Sequence, residues 1–330
     1  MMNGTQTKAG NLGQFISRLL LILSGILLAV FIPWNAWALS SRPHPVQRYE
    51  EAVKRIELLR ADRVSEMNPD CTAQFMTHGQ KVQDVIVLVH GYTNCPKEFV
   101  RLGEKLYRQG YNVLIAPLPH HGLTNRLNAE QGQLSAEELA KYTDQVVDIA
   151  QGLGDRVTIL GYSCGGVVTA WAAQNRADVD TAVVISPAFG YLAIPTPLTA
   201  PVMNVVLATP DVFVWWEPEL QAKSGFAYTY PRYSRHALAQ IMRFGFSVQI
   251  NARQRPPLAK RIFVVTNVND DSVNNELTAQ VTQSWRQHNA QLMTYEFPVT
   301  LKLPHDLIDA NKSDSNVEVV DEKLIELIAR

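Results

Sequence analysis

The most chemically pointed segment of the chain is Gly161-Tyr162-Ser163-Cys164-Gly165-Gly166. A serine hydroxyl is a poor nucleophile at neutral pH and needs a neighbouring base. It becomes accessible when a sharp turn between a strand and a helix lifts it clear of the backbone, and small flanking residues let that turn close. The apolar run Val157–Leu160 precedes the motif as a strand, and Cys164–Asn175 follows it with a helical pattern. Ser163 is therefore the expected nucleophile. Glycine stands at 161 and 165 because side chains there would strike the neighbouring strand and helix.

The base must be a histidine oriented by a carboxylate. With the acid between serine and histidine in chain order, His288 and His305 are the candidates among eight histidines. His288 falls within a helical pattern, where a solvent-exposed role fits. His305 lies in a loop after the strand Leu292–Phe297 and is the expected base. The acid should follow the strand Ile262–Thr266, where the chain reads Asn267-Val-Asn-Asp270-Asp271-Ser-Val273. Either aspartate could receive the imidazole N–H. Asp271 is the better placed helix N-cap, which leaves Asp270 as the triad acid.

An oxyanion needs two backbone N–H groups aimed at one point. Cys164, first in the helix after the serine, supplies one. Tyr92 supplies the other, in the loop His90-Gly91-Tyr92-Thr93 after the strand Val85–Val89, with Gly91 permitting the turn. His90 is expected to pack or to bridge loops. The pair His120-His121 invites a metal reading, but adjacent histidines point apart and no third ligand stands nearby. Support of the surrounding loops is the expected role, with no metal and no cofactor.

The elements that position these residues alternate. Strands at Val85–His90, Tyr111–Ala116, Val157–Leu160, Thr181–Ser186, Ile262–Thr266 and Leu292–Phe297 are separated by helices from Pro96 to Arg108, Ser135 to Gly152, Cys164 to Asn175 and Glu276 to His288. A last helix runs from Val317 to Ala329, and a lead-in region, 39–70, holds a helix from Val46 to Leu59. Val/Ile-rich strands alternating with helices imply a mostly parallel sheet covered on both faces. Residues 188–259 break the rhythm and read as an inserted cap. Aromatics crowd it, among them Trp215, Trp216, Tyr228, Tyr230, Tyr233, Phe244 and Phe246. They suit either an apolar pocket wall or the cap's own packing.

The chain has 330 residues, 46% hydrophobic and 18% charged, with 30 Lys and Arg against 31 Asp and Glu. That balance gives no basic surface for a phosphate backbone, and nucleic acid is not an expected partner. The run Leu19–Ile32 is the most apolar, follows Lys8 and Arg18, and leads into Ala36-Trp37-Ala38. Residues 1–38 thus read as a signal peptide cleaved after Ala38 or as an uncleaved anchor. Both readings place the rest of the chain outside the cytoplasm, and the anchor adds membrane association through residues 15–38. An oxidising compartment allows a disulfide. Cys71 and Cys95, at the ends of a hairpin-like pair of strands, are the expected partners, with Cys164 buried and free.

Taken together, His90-Gly-Tyr92, Gly161-Tyr-Ser-Cys-Gly165, Asp270-Asp-Ser-Val273 and Pro304-His305-Asp306, with Leu118-Pro-His-His-Gly122, resemble the serine hydrolases of the α/β-hydrolase superfamily, esterases and lysophospholipases among them. The resemblance covers residues from about 70 to 330. It implies an eight-stranded, mostly parallel sheet flanked by helices, an ester-cleaving Ser-Asp-His triad and no cofactor. A lipid-like or small acyl or aryl ester is the expected substrate. An amidase or peptidase, an acyltransferase, and a non-catalytic binding module on the same fold are the alternatives.

Overall fold

The computed structural model describes residues 39–217, 219, 227–309 and 316–329, with 15, 17, 18, 25, 30–33 and 36. The signal or anchor expected in residues 1–38 lies outside the described residues except at those few positions.

In chain order the elements are α1 (Tyr49–Ala61), β1 (Gln74–Met76), β2 (Val82–Val89), α2 (Val100–Arg108), β3 (Asn112–Ile115), α3 (Ala136–Leu153), β4 (Gly154–Tyr162), α4 (Cys164–Asn175) and β5 (Thr181–Ile185). There follow α5 (Thr199–Leu207), β6 (Phe213–Trp215), β7 (Arg232–Ser234), α6 (Arg235–Gln254), β8 (Arg261–Asn267), α7 (Asn275–Gln287), β9 (Leu292–Phe297) and α8 (Val317–Ala329).

Successive strand residues point to opposite faces, and both faces here are apolar. Val85, Val87 and Val89 enter one core, while Ile86 and Leu88 enter the other. β5 and β8 divide in the same way, with Ala182, Val184, Ile262 and Val264 on one side and Val183, Ile185, Phe263 and Val265 on the other. Such strands must be covered twice. Residues of α2 and α8 cover one face, and residues of α1, α3, α4, α6 and α7 cover the other.

The sheet order is β1-β3-β2-β4-β5-β8-β9, parallel throughout except for β1. The expected parallel sheet with flanking helices is present. It has seven strands among the described residues instead of eight, and the antiparallel edge strand β1, only three residues long, leaves no readable alternation in the sequence. β2, β4, β8 and β9 all end at the same edge of the sheet, where open parallel sheets carry their sites.

The interval 188–259 is not one cap. Its last element, α6, buries Ala237, Ile241, Phe244, Val248 and Ala252 in the main core, and Phe244 stacks on Trp171 of α4 at 5.6 Å. Among the described residues, the part that stands apart from the main sheet ends near Ser234 and holds α5 and the two-stranded β6–β7 ribbon. At the amino end, α1 begins at Tyr49 and not at Val46. The preceding segment is tied to α3 instead. Ser41 Oγ and the Arg42 N–H donate to Asp144, the His44 N–H donates to the Asp148 carboxylate, and the Val46 N–H donates to the Asp148 carbonyl.

Cys71 and Cys95 form a disulfide with Cα atoms 5.2 Å apart, and Cys164 is buried and free. The pairing is the expected one, but no hairpin makes it. β1 pairs with β3, and the bond joins the turn before β1 to the loop after β2.

Candidate active site

Ser163 sits between β4 and α4 with φ 57° and ψ −113°. Positive φ strains a residue with a side chain, and the surroundings enforce it. A Cβ at Gly161 would lie 2.0 Å from the Gly165 carbonyl oxygen, and one at Gly165 would lie 2.0 Å from that of Val89. Only glycine lets β2, β4 and α4 approach so closely. The Ser163 N–H is held by the Ile185 carbonyl, and the Ser163 carbonyl accepts from Ala188 and Val167.

The side chains expected to act together meet at this turn. His305 Nε2 lies 3.0 Å from Ser163 Oγ, and Nδ1 lies 2.9 and 3.0 Å from the two oxygens of Asp270. Burial pushes the Asp270 carboxyl up. The hydrogen bond and charge of His305, with the Val273 and Ser272 amides, pull it down further, so its pKa lies below the ordinary carboxylate value. Asp270 is thus an anion at neutral pH, able to hold Nδ1 protonated and leave Nε2 free to accept from serine. Asp271 is exposed, its carboxylate accepting from Ser272 Oγ. It does not cap α7, which Asn274 caps. His288 ends α7 with its Nε2 near the Arg253 carbonyl, at a position outside this cluster.

The Tyr92 loop lies beside the serine. A Cβ at Gly91 would come within 3.6 Å of the Ser163 Cβ. The amides on either side of Tyr92 are engaged, with Gly91 donating to Glu98 Oε2 at 2.8 Å and Thr93 to His121 Nε2 at 3.2 Å. Among the described residues neither the Tyr92 nor the Cys164 amide finds an acceptor.

His90 and His121 bridge loops. His90 Nε2 accepts the Leu118 N–H, so its proton is on Nδ1 and donates to the Gly91 carbonyl. His121 Nδ1 donates to the Pro119 carbonyl. Burial pushes His90 down to about 3 and His121 down to about 4, so both are neutral at physiological pH. His120 turns the other way, to Glu130 and Glu138.

Three further residues support the site. The Tyr162 hydroxyl donates to the His305 carbonyl at 2.8 Å, and its ring lies 5.0 Å from the imidazole. Burial raises the Tyr162 phenol, which keeps the proton needed for that bond. Asn267 Nδ2 donates to the carbonyls of Leu303 and Pro304. Three successive carbonyls ending at His305 are therefore gripped from β4 and β8. Glu98 fixes the Tyr92 loop through Gly91 and Asn94. The one sequence signal was Asn267 itself, a polar end to the apolar strand Arg261-Ile-Phe-Val-Val-Thr-Asn267.

A doubly covered parallel sheet, with a serine on a strained strand-to-helix turn at its carboxyl edge, defines the α/β-hydrolase class of serine hydrolases. The chain belongs to the serine aminopeptidase S33 family, whose model matches residues 80–296. It is 32% identical over 104 residues to the phospholipase YtpA of Bacillus subtilis (strain 168), covering 31% of this chain and 39% of that protein. To the thermostable monoacylglycerol lipase of Bacillus sp. (strain H-257) it is 27% identical over 120 residues, 34% of this chain and 44% of that one. The match thus spans less than half the length of these relatives. The fold is shared with a soluble variant of monoglyceride lipase from Saccharomyces cerevisiae, at a TM-score of 0.59 and 14% identity, over 78% of this chain and 90% of that one. It is shared also with the monoacylglycerol lipase of Paleococcus ferrophilus, at 0.57 and 16%, over 77% and 96%.

Proposed function

We propose that the protein is a serine hydrolase that cleaves carboxylic esters, lipid-like or small acyl and aryl esters, through Ser163, Asp270 and His305. The observation that carries this reading is His305, which reaches Ser163 Oγ with one ring nitrogen and Asp270 with the other. As Ser163 Oγ attacks the acyl carbonyl, its proton passes to His305 Nε2, and the Asp270 anion stabilises the imidazolium. The carbonyl oxygen becomes an oxyanion held by the Tyr92 and Cys164 amides. When the intermediate collapses, the imidazolium gives its proton to the leaving alkoxide, and the acyl group stays on Ser163. Water, deprotonated by His305, then attacks the acyl-enzyme, and the acid leaves as Ser163 regains its proton.

Ester substrates are favoured by the names of the lipase and phospholipase relatives. The family description, serine aminopeptidase, keeps one second reading, in which the same serine cleaves an amide. Rates on p-nitrophenyl esters of graded chain length and on aminoacyl p-nitroanilides separate the two. Faster ester cleavage, lost in Ser163→Ala and in His305→Ala, supports the first reading; a dominant amide rate supports the second.

The apolar run after Lys8 and Arg18 and the Cys71–Cys95 disulfide both favour a site of action outside the cytoplasm, with membrane association through residues 15–38.

A further inference from the structure

Although 18% of its residues are charged, the chain's two longest stretches with no charged side chain are residues 19–41 and residues 181–210. The first part of the second stretch is the buried strand β5 and the turn after it. The remainder surfaces as the cap around α5. Met203 on the inner side of that helix packs against Ala239 and Met242 of α6. On the outer side Leu198, Val202 and Val205, spaced i, i+4 and i+7, share one stripe. Leu198 is 43% exposed and Val205 52%, and Leu192, just upstream, is 55% exposed. An apolar helix face of this kind normally meets another element or a lipid phase.

The two uncharged stretches touch. The amide of Asn204, on α5, donates to the carbonyls of Val30 at 2.7 Å and Ile32 at 2.9 Å, at the end of the N-terminal apolar run. Shortly afterwards the chain is fixed again. Ala36 and Leu39 are buried, and Ser41, Arg42 and His44 are bound to Asp144 and Asp148. Those two carboxylates are in turn paired with the fully buried Arg176, at 3.0 and 2.6 Å. The chain is thus pinned to α5 at Ile32 and, four and seven residues on, to the domain at Ala36 and Leu39. Ala36, the first residue of the sequence expected as a cleavage signal, is the one of the three that the structure describes, and it is buried. α5 is also tied to the catalytic edge, because the stretch leading to it bridges Tyr191 to Val273, and its Leu192 N–H donates to the Ser272 carbonyl in the Asp270 loop.

We infer that the apolar run is retained and inserts into a lipid bilayer, and that the pinned segment sets α5 against that same bilayer. Leu198, Val202 and Val205 then form a second lipid-contacting face beside the site. The occupant is the bilayer because the helix face continues the run that enters it, and because neither stretch offers a charge to a protein partner.

The test uses the full chain reconstituted in phosphatidylcholine vesicles. Cys164, the free cysteine among the described residues, is buried, so a single introduced cysteine can carry an environment-sensitive fluorophore. Leu198→Cys and Val205→Cys report on α5, and Val319→Cys, 40% exposed on α8, is the control. A lipid-borne quencher near the top of the acyl chain should lower emission at 198 and 205 about twofold, since an interfacial helix seats ~5–10 Å into the headgroup–acyl boundary. Emission at 319 should not change. Equal quenching at 205 and 319 overturns the inference. So does a probe at 205 that is shielded from aqueous iodide but untouched by the lipid quencher, which would mean the run itself or a second copy covers α5. A purified membrane-derived chain whose mass begins at Leu39 also overturns it. None of these readouts depends on catalysis, so loss of the ester-hydrolase reading would leave them interpretable.

Discussion

Asn267→Ala should uncouple His305 from the rest of the site without touching any reacting atom. In the native protein the Asn267 amide donates to the carbonyls of Leu303 and Pro304, at 2.8 and 3.1 Å. Leaving a buried carbonyl unpaired costs about 1–3 kcal/mol; the bond to Leu303 is buried and that to Pro304 only partly so, so the loss of stability should be about 1–3 kcal/mol, set mainly by Leu303. The kinetic effect follows from geometry. A displacement of about 1 Å in a reacting group can cost on the order of 100-fold in rate, and the His305 Nε2 to Ser163 Oγ distance is only 3.0 Å. We expect kcat to fall about 100-fold with KM unchanged, because no part of the substrate is lost. Tyr162→Phe removes one hydrogen bond to the His305 carbonyl but keeps the ring beside the imidazole, and its loss should be smaller. Steady-state hydrolysis of a short p-nitrophenyl ester, read beside urea unfolding of the same preparations, measures both effects. If Asn267→Ala loses stability and keeps full kcat, the clamp is structural only and the argument fails.

Three further outcomes follow from other parts of the molecule. Replacing Cys71 and Cys95 by serine opens a cross-link of sequence separation 24, for which the chain-entropy relation gives about 3.5 kcal/mol of lost stability; urea midpoints of the two forms measure it. His90 and His121, held near 3 and 4 by burial, stay neutral in the fold while the unfolded chain takes protons near the ordinary imidazole pKa. Stability should therefore fall as pH drops below about 6.5, by about 2 kcal/mol for each histidine at pH 5. Melting curves at pH 7 and 5 should show it, with a shallower loss in His121→Asn. Gly161→Ala places a methyl 2.0 Å from the Gly165 carbonyl oxygen and should destabilise by about 3 kcal/mol or more; a melting temperature equal to the parent's would contradict the packing argument for the motif.

Much of the fold was readable because its strands are buried on both faces. β2, β5 and β8 stand out through short continuous apolar runs, Val85–Val89, Ala182–Ile185 and Ile262–Val265, and α4, β9 and α8 begin and end where the pattern puts them. Ser163 and His305 stood out for local reasons, a tight turn that demands glycine and a histidine in the loop after the last strand. Asp270 was separated from Asp271 by a capping argument that does not hold here. Asn274 caps α7, and what distinguishes the two carboxylates is that one is buried beside the imidazole and the other faces solvent. α6 was misplaced in the cap because it lies in sequence beyond the ribbon, although its Ala237, Ile241, Phe244 and Val248 stripe belongs to the core. Tyr162 and Glu98 act through backbone groups distant in sequence, which no local pattern announces, and Asn267 shows only as the polar end of its apolar strand.

The most direct test of the central claim is covalent. A fluorophosphonate reacts with a serine only when a base activates it, and digestion with mass spectrometry shows which serine has reacted. The geometry at His305 predicts a single adduct on Ser163, absent in His305→Ala and in Asp270→Ala strongly slowed. Labelling on another serine, or undiminished labelling of Ser163 without His305, would contradict the assignment.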